Sequence, residues 1–209
     1  MKFILLVEGF TEKEAAASFL KRWLDQQGLR ERVGMKPVRF SGWQHFLNDV
    51  VKRSRMFLSA PGAHDVIAVI GLLDLYGPTF YPPHLQTVDE RYQWGVTHVE
   101  KLVDRAQFRM FFAVHEFEAW ILGDQKVLAP VICSGLPGRA AQPETVNFNE
   151  PPSKLLDRLY KQHFKREYKK VVHGKELFSK LDPPEGYRNC PYLARMLDAI
   201  LKMAKDAGL

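Results

Sequence analysis

The chain has 209 residues, 46% of them hydrophobic, which is enough apolar material for the core of one compact domain. The longest apolar run is far shorter than the roughly 20 residues of a membrane-spanning helix, and no signal-peptide pattern is evident, so we expect a cytoplasmic protein without a membrane partner. The two cysteines, Cys133 and Cys190, have no paired spacing, which argues against a disulfide framework and a structural zinc site.

The net charge of +6 comes from the carboxy-terminal part of the chain. Residues 1–150 contain 17 basic and 17 acidic side chains, whereas residues 151–209 contain 13 basic and 7 acidic ones. A basic segment beside a balanced body favours a polyanionic partner such as nucleic acid. A basic surface that only faces solvent explains the same composition, so both interpretations stay open at this point.

Strand and helix patterns alternate through the first two thirds of the chain, which is typical of a parallel sheet covered by helices on both faces. Residues 2–7 predict the first strand, and residues 11–27 predict a helix that begins with a capping box at Thr11. Residues 35–40 predict a strand towards an edge of the sheet, because Pro37 cannot donate a backbone hydrogen bond to a neighbour.

A second capping box, at Ser41, predicts the start of the second helix. Residues 65–73 contain a continuous apolar run from Val66 to Leu73 that is rich in valine and isoleucine, which predicts a central strand. Residues 88–106 predict the third helix, residues 108–114 the fourth strand and residues 116–122 the next helix. The expected fold class is therefore α/β, with a parallel, Rossmann-like sheet flanked by helices.

Glycine and proline are frequent in residues 133–152, which predicts a long loop or a boundary. We therefore divide the chain into an α/β domain at residues 1–132, this loop, and an all-helical basic extension at residues 153–209 packed on the same domain. Ser153 is expected to cap the first helix of the extension, and residues 192–207 are expected to form the last helix.

Acidic side chains follow three of the predicted strands. Glu8 follows the first strand, Asp74 the third, and His115, Glu116 and Glu118 the fourth. Because the carboxyl ends of parallel strands share one edge of the sheet, these side chains are expected to meet there. Carboxylate oxygens suit Mg²⁺ or Mn²⁺, and such an ion can position a water for attack on a phosphodiester.

Each acid also has an explanation that involves no ligand. Glu8 can favour the positive end of the following helix, and Asp74 can cap a turn that ends at Gly77. Glu116 and Glu118 are two residues apart and would point in different directions on a helix, so we expect only one of them to contact a metal directly. Three acids at one edge nevertheless favour a bound cation, because like charges brought together need compensation.

Four short segments together resemble a family of uncharacterised bacterial TOPRIM-like proteins that are distantly related to the overcoming-lysogenization-defect nucleases. The segments are Leu6–Glu12 (LVEGFTE), Leu73–Gly77 (LDLYG), His115–Trp120 (HEFEAW) and Pro151–Lys154 (PPSK). The resemblance covers most of the chain and implies a TOPRIM fold for its amino-terminal part. It also implies a nuclease activity, magnesium as cofactor, and a partner ATPase of the ATP-binding-cassette type.

The resemblance assigns roles to the acids. Glu8 would be the acid–base or metal-ligating glutamate, Asp74 the first aspartate of an Asp-x-Asp motif, and Glu116 or Glu118 the further acid. Tyr76 replaces the second aspartate, and a tyrosine is not a hard ligand at neutral pH. A complete two-metal site therefore requires that Glu116 and Glu118 together replace the missing carboxylate.

The basic extension and the resemblance together indicate where a polyanion would bind. Phe164 and Tyr168 are interleaved with basic residues and could stack on bases, although burial of the two rings at helical spacing explains the same pattern. The residues that we assign to substrate binding are His115, Lys154, Lys165, Arg166, Lys169, Lys170 and Lys175.

The function expected from the sequence is a magnesium-dependent TOPRIM-like nuclease that acts on DNA or RNA, as the effector of a bacterial defence or mobile-element system. The main alternative is a non-catalytic binding subunit that acts through the partner ATPase, and Tyr76 favours this alternative. A nucleotide-handling enzyme with a small substrate is a third hypothesis. Association of the chain with further copies of itself, as a homo-oligomer, is left open.

Overall fold

The computed structural model describes residues 1–138, 140–145 and 150–209, without the side chains of residues 10–12. Its centre is a four-stranded sheet in which every pair of neighbours is parallel, in the order β2-β1-β3-β4. The strands are β1 (Lys2–Val7), β2 (Gly34–Arg39), β3 (Val66–Asp74) and β4 (Phe108–Ala113). The predicted α/β fold class is confirmed, and the proline-containing strand β2 lies at an edge of the sheet.

Helices cover both faces of the sheet. They are α1 (Phe10–Asp25), α2 (Trp43–Ser59), α3 (Val88–Val103), α4 (Glu118–Gly123), α5 (Pro130–Cys133), α6 (Pro152–Phe164), α7 (Lys175–Lys180), α8 (Pro183–Asn189) and α9 (Pro191–Asp206). A short π-helical turn, Lys170–Gly174, precedes α7. Among the helices of the described residues, none combines the length and the apolar character needed to cross a membrane.

The side chains of β1 alternate between two apolar cores, which explains why the strand is hydrophobic throughout. Phe3, Leu5 and Val7 pack with α1 and the carboxy-terminal helices, whereas Ile4 and Leu6 pack with α2 and α3. All five side chains are buried. The helical extension therefore completes one of the two cores.

The extension is anchored to α1 by a bidentate contact. Arg22 Nη2 of α1 donates to the backbone oxygens of Phe178 and Leu181, each at 3.0 Å, where α7 ends. These bonds satisfy carbonyl groups that a helix terminus leaves without partners. The end of α7 is thereby held against the amino-terminal part of the chain.

The predicted helix starts were wrong at three positions. Helix α1 begins at Phe10 after Gly9, and α2 begins at Trp43 after Gly42, neither with a side-chain cap. Gly9 and Gly42 have φ angles of 142° and 101°, in the region that favours glycine, so the chain turns sharply there and the helix starts directly afterwards. Ser153 lies inside α6 and does not cap it.

A capping box does occur at the start of α3, where the sequence interpretation did not place one. The Thr87 hydroxyl accepts the Glu90 backbone N–H, and the Glu90 carboxylate accepts the Thr87 N–H at 2.9 Å. The predicted loop at residues 133–152 contains the end of α5 and a 3₁₀ turn, Pro143–Thr145. Residues 139 and 146–149 of that loop lie outside the described residues.

Candidate functional site

The carboxyl ends of β3 and β4 are tied together around Asp74. Asp74 pairs with Ala113 in the sheet, and the Tyr76 N–H donates to the His115 carbonyl oxygen at 2.8 Å. His115 has a φ of 61°, a left-handed conformation that turns the chain at the end of β4. After this turn the Phe117 N–H donates to Asp74 Oδ1 at 2.8 Å. The local backbone therefore brings residues 116–118 back to Asp74.

Two predicted acids, Glu116 and Glu118, contact the side chain of Lys170, and Asp74 binds the backbone N–H of the residue between them; we call these three acids the acidic cluster. Lys170 Nζ lies 3.0 Å from Glu118 Oε2 and 3.6 Å from Glu116 Oε1. Burial opposes the charge of this ammonium, but the carboxylates of Glu118, Asp74 and Glu116 outweigh burial and raise the pKa of Lys170. The cluster thus contains its own positive charge.

Glu118 is the most deeply buried member of the cluster, with 2% of its surface exposed. Burial raises the pKa of Glu118 to about 7, and the neighbouring Glu116 raises it as well, whereas Lys170 lowers it. Because Lys170 stays protonated, the proton that exchanges near neutral pH belongs to Glu118. The cluster therefore contains a carboxyl group that can accept or release a proton at neutral pH.

Glu116 connects the cluster to the start of α6. Its Oε2 atom accepts the backbone N–H of Ser153 at 3.0 Å. The first turn of a helix carries partial positive charge and unpaired N–H groups, so a carboxylate is favourable there. This contact gives Ser153 a structural role through its backbone, in place of the predicted side-chain cap.

Glu8 stands at the same edge of the sheet, at the end of the neighbouring strand β1. It follows Val7, which is opposite Leu72 of β3, and Asp74 lies two residues beyond Leu72. Glu8 is half-buried, and its Oε1 atom is 4.0 Å from the position that a Cβ on Gly42 would occupy. One Glu8 carboxylate oxygen therefore lies near the start of α2, whereas one Asp74 oxygen accepts the Phe117 N–H.

A cleft of about 510 Å³ opens beside the acidic cluster. The side chains and backbone that line it belong to Glu116, Ser153, Lys154, Asp157, Lys161, Glu167, Tyr168 and Lys170. Of the predicted substrate-binding residues, Lys154 and Lys170 lie in this cleft. Lys161 also lines it and is paired with Asp157 at 2.8 Å. The cleft thus combines ammonium groups with one member of the acidic cluster, Glu116.

The other predicted basic residues do not line this cleft. Lys175 forms an ion pair with Glu14 of α1, and the Arg166 guanidinium lies 5.5 Å from the Phe164 ring centroid. Lys165 and Lys169 are exposed on the extension. His115 lines two clefts on the other side of the turn after β4. Lys154 and Lys170 therefore differ from the other predicted substrate-binding residues because they line the cleft beside the acids.

The two aromatic residues of the basic segment differ in exposure. Tyr168 is buried, and its backbone N–H donates to Asp157 Oδ1 at 3.0 Å. Phe164 is 37% exposed at the end of α6. Tyr168 is therefore a packing residue, whereas Phe164 keeps an accessible ring.

The acidic cluster offers the carboxylate oxygens that a hard divalent cation prefers, but the arrangement of these side chains is not that of a metal site. Within the described residues, no group of three or more histidine, cysteine, aspartate or glutamate side chains has the spacing of a metal site. Asp74 and Glu116 each use one oxygen for a backbone N–H, and Lys170 offsets part of the charge. Asp74, Glu116 and Glu118 could hold a metal in one of two ways. Either Lys170 moves out of the cluster, or it stays beside the bound ion.

One buried acid away from the cluster was not predicted. The Glu144 carboxylate accepts the backbone N–H groups of Tyr192 and Leu193, at 2.6 and 3.3 Å, at the start of α9. Burial raises the pKa of Glu144 to about 7. The local sequence carries no signal for this contact, because Glu144 and Tyr192 are 48 residues apart.

Comparison of the sequence with curated proteins gave no match. Among solved structures, the chain is similar to the C-terminal region of the Burkholderia pseudomallei OLD protein, with 20% identity and a TM-score of 0.46 over 97% of this chain and 98% of that chain. The family described as "Domain of unknown function (DUF4276)" matches residues 7–201. Because this match spans most of the chain, the protein belongs to the DUF4276 family.

Proposed function

We propose that the protein is a metal-dependent nuclease that hydrolyses phosphodiester bonds of DNA or RNA, with Mg²⁺ or Mn²⁺ as its cofactor. The observation that supports this proposal is the pairing of Glu116 and Glu118 with Lys170 beside Asp74, which binds the Phe117 N–H, at the carboxyl edge of a parallel sheet. This edge is where open α/β sheets bind ligands. The adjoining cleft adds Lys154, a side chain suited to contact a phosphate.

Each residue of the site has a distinct task in this proposal. Asp74 and Glu116 are held in place by backbone N–H groups, so their remaining oxygens are oriented towards the cluster. Glu118, with a pKa of about 7, can exchange a proton with water or a leaving oxygen at neutral pH. Lys170 places a positive charge where a phosphodiester would approach. The bound cation would supply charge stabilisation and an activated water.

The test is a cleavage assay on plasmid DNA, linear DNA and RNA, with and without Mg²⁺ or Mn²⁺. In Asp74→Asn the amide oxygen still accepts the Phe117 N–H, so the fold should persist while the charge is lost. We expect the cleavage rate to fall by about 100-fold or more, as for removal of a group that acts on the transition state. Asp65→Asn, just before β3 at the opposite edge of the sheet, is the matched control and should cleave normally.

Unchanged cleavage by Asp74→Asn, with both variants folded by circular dichroism, would reject the proposed site. Cleavage without any divalent cation, in the presence of a chelator, would reject the metal dependence. The two results are separable because the first concerns the residue and the second the cofactor.

A second candidate function is a non-catalytic subunit that binds nucleic acid and acts through a partner, such as an ATPase of the ATP-binding-cassette type. Two observations favour it: Lys170 already offsets the charge of the cluster, and Tyr76, at the position of the second aspartate, is 57% exposed and offers no carboxylate. Calorimetric titration with Mg²⁺ distinguishes the two functions. Binding at millimolar concentration that Asp74→Asn abolishes supports the nuclease, and no binding supports the subunit.

A further inference from the structure

Five half-buried rings form a patch on the face of the sheet that α2 and α3 cover. The members of this aromatic patch are Trp43, Phe80, Tyr81, Trp94 and His98. Phe80 is central, with ring centroids 4.4 Å from Tyr81 and 5.8 Å from both Trp43 and Trp94. Trp94 and His98 stack at 4.4 Å with an interplanar angle of 11°.

The patch differs from the aromatic residues of the two cores in its contact with solvent. Trp23 and Trp120, the other tryptophans of the chain, are buried, whereas Trp43 and Trp94 keep part of their surface exposed. The patch is assembled from the start of α2, the loop after β3 and successive turns of α3. A contiguous, partly exposed apolar surface of this kind indicates a contact surface.

The patch borders the acids at the sheet edge. Trp43 directly follows Gly42, and a Cβ added to Gly42 would lie 4.0 Å from Glu8 Oε1. On the other side, the Arg91 guanidinium beside Tyr81 belongs to a cleft that Leu75 and His115 also line, and these are the residues next to Asp74 and Glu116. The Tyr81 hydroxyl is buried and, within the described residues, has no hydrogen-bond partner. The aromatic patch is therefore continuous with the candidate site.

Positive charge accompanies the rings. The Arg91 guanidinium lies 6.0 Å from the Tyr81 ring centroid, and its Nε donates to the Leu85 carbonyl oxygen at 3.0 Å. Flat aromatic surfaces beside cationic side chains are the combination that binds single-stranded nucleic acid without sequence preference.

We propose that the aromatic patch stacks unpaired bases of a single-stranded nucleic acid, DNA or RNA, whose backbone passes across the acidic cluster. This inference rests on the proposed function, because it names the strand state of the nuclease substrate. Bases in a duplex are stacked on one another and cannot offer their faces to Phe80 or Trp94. Phosphates of the same strand would pass Arg91 on one side of the acids and Lys154 on the other.

The test measures binding in a chelating buffer, so that cleavage cannot interfere. The probes are oligo(dT), oligo(U), an abasic oligodeoxynucleotide of the same length and the dT·dA duplex. We expect oligo(dT) and oligo(U) to bind at least about tenfold more tightly than the abasic strand and the duplex, because stacking adds affinity that phosphates alone cannot supply. Binding should also quench fluorescence of Trp43 and Trp94, since Trp23 and Trp120 are buried.

Phe80→Leu keeps an apolar side chain at the centre of the patch but removes the ring. We expect it to lose the tenfold preference for oligo(dT) and oligo(U) while its affinity for the abasic strand stays unchanged. Phe57→Leu is the matched control, because Phe57 is a half-buried ring near the end of α2, outside the patch. The control should bind like the wild type.

Equal affinity for the abasic strand and oligo(dT), or wild-type binding by Phe80→Leu, would overturn the proposal. Equal affinity for the duplex would overturn it as well, as would the absence of binding to every probe. Failure of the nuclease proposal looks different. Single strands would bind with the expected preference, yet no cleavage would follow when Mg²⁺ or Mn²⁺ is added.

Discussion

Replacing Lys170 by methionine removes the positive charge inside the acidic cluster and keeps a side chain of similar length. Glu118 would then lie buried beside Glu116 without the ammonium that now contacts it at 3.0 Å. Breaking a buried ion pair from one side costs about 3–5 kcal/mol of unfolding free energy. Because the Lys170 side chain is 39% exposed, solvent screens part of the interaction, and we expect a loss of about 2–3 kcal/mol.

This loss should depend on pH, because Glu118 can escape the penalty by taking up a proton. Its pKa, raised to about 7 by burial, is lowered by Lys170, so it rises further in Lys170→Met. A carboxyl group whose folded pKa exceeds its unfolded value binds more protons in the folded state, so it makes the protein less stable as pH rises. The effect of the substitution is therefore full at about pH 8.5 and shrinks at about pH 6.

Urea unfolding of the wild type and of Lys170→Met at these two pH values measures the effect. Lys169→Met is the matched control, because Lys169 is its exposed neighbour, and it should change stability by no more than about 0.5 kcal/mol. Adding Glu118→Gln to Lys170→Met should restore most of the loss at high pH. An equal loss at both pH values, or a loss no larger than in the control, would refute the electrostatic reasoning.

Two further predictions concern packing and protonation away from the cluster. Burial raises the pKa of Glu144 from 4.5 to about 7, so ionisation of this carboxyl group should lower the free energy of unfolding by about 3 kcal/mol as pH rises through this interval. In urea unfolding from about pH 4.5 to 7.5, Glu144→Gln should show a flatter profile than the wild type, and an identical slope would contradict this. An added Cβ at Gly95 of α3 would lie 2.8 Å from the Phe112 ring, so Gly95→Ala should lower the thermal midpoint and cost about 1–2 kcal/mol despite better helix propensity. Gly138→Ala, with open space at its Cβ, is the control, and a stabilised Gly95→Ala would contradict the prediction.

The centre of the sheet was predictable because its two central strands, β1 and β3, are buried on both faces. Residues 2–7 are apolar at every position after Lys2, and β3 is continuously apolar from Val66 to Leu73, which few other environments require. Pro37 correctly indicated an edge strand. Helix starts were less predictable. Thr11 and Ser41 are residue types that cap helices, but the chain turns at Gly9, before Thr11, and at Gly42, after Ser41. The local sequence contains both the cap residues and the glycines, but it does not show which of them starts the helix in the folded protein.

The sequence predicted which acids lie at the candidate site, but it did not predict which basic residue offsets their charge. Parallel strands share an edge, so the positions of Asp74 and of residues 116–118 followed from where the strands end. The contact between Lys170 and Glu118 spans 52 residues and depends on the path of the extension across that edge, for which no periodicity or spacing is a guide. The sequence interpretation therefore placed Lys170 among phosphate-binding residues without pairing it with the acids.

This pairing bears on the chemistry of the whole edge. Carboxylates close together in a low-polarity environment need a cation or a proton to offset their charge. In the described structure, the Lys170 ammonium is the cation, and the raised pKa of Glu118 lets that carboxyl group hold a proton. A divalent cation that enters the cluster would add positive charge beside Lys170 and favour loss of the Glu118 proton. Metal uptake should therefore release a proton at neutral pH and grow stronger as pH rises, which links the proposed cofactor to the buried carboxyl group that the fold already holds in a titratable state.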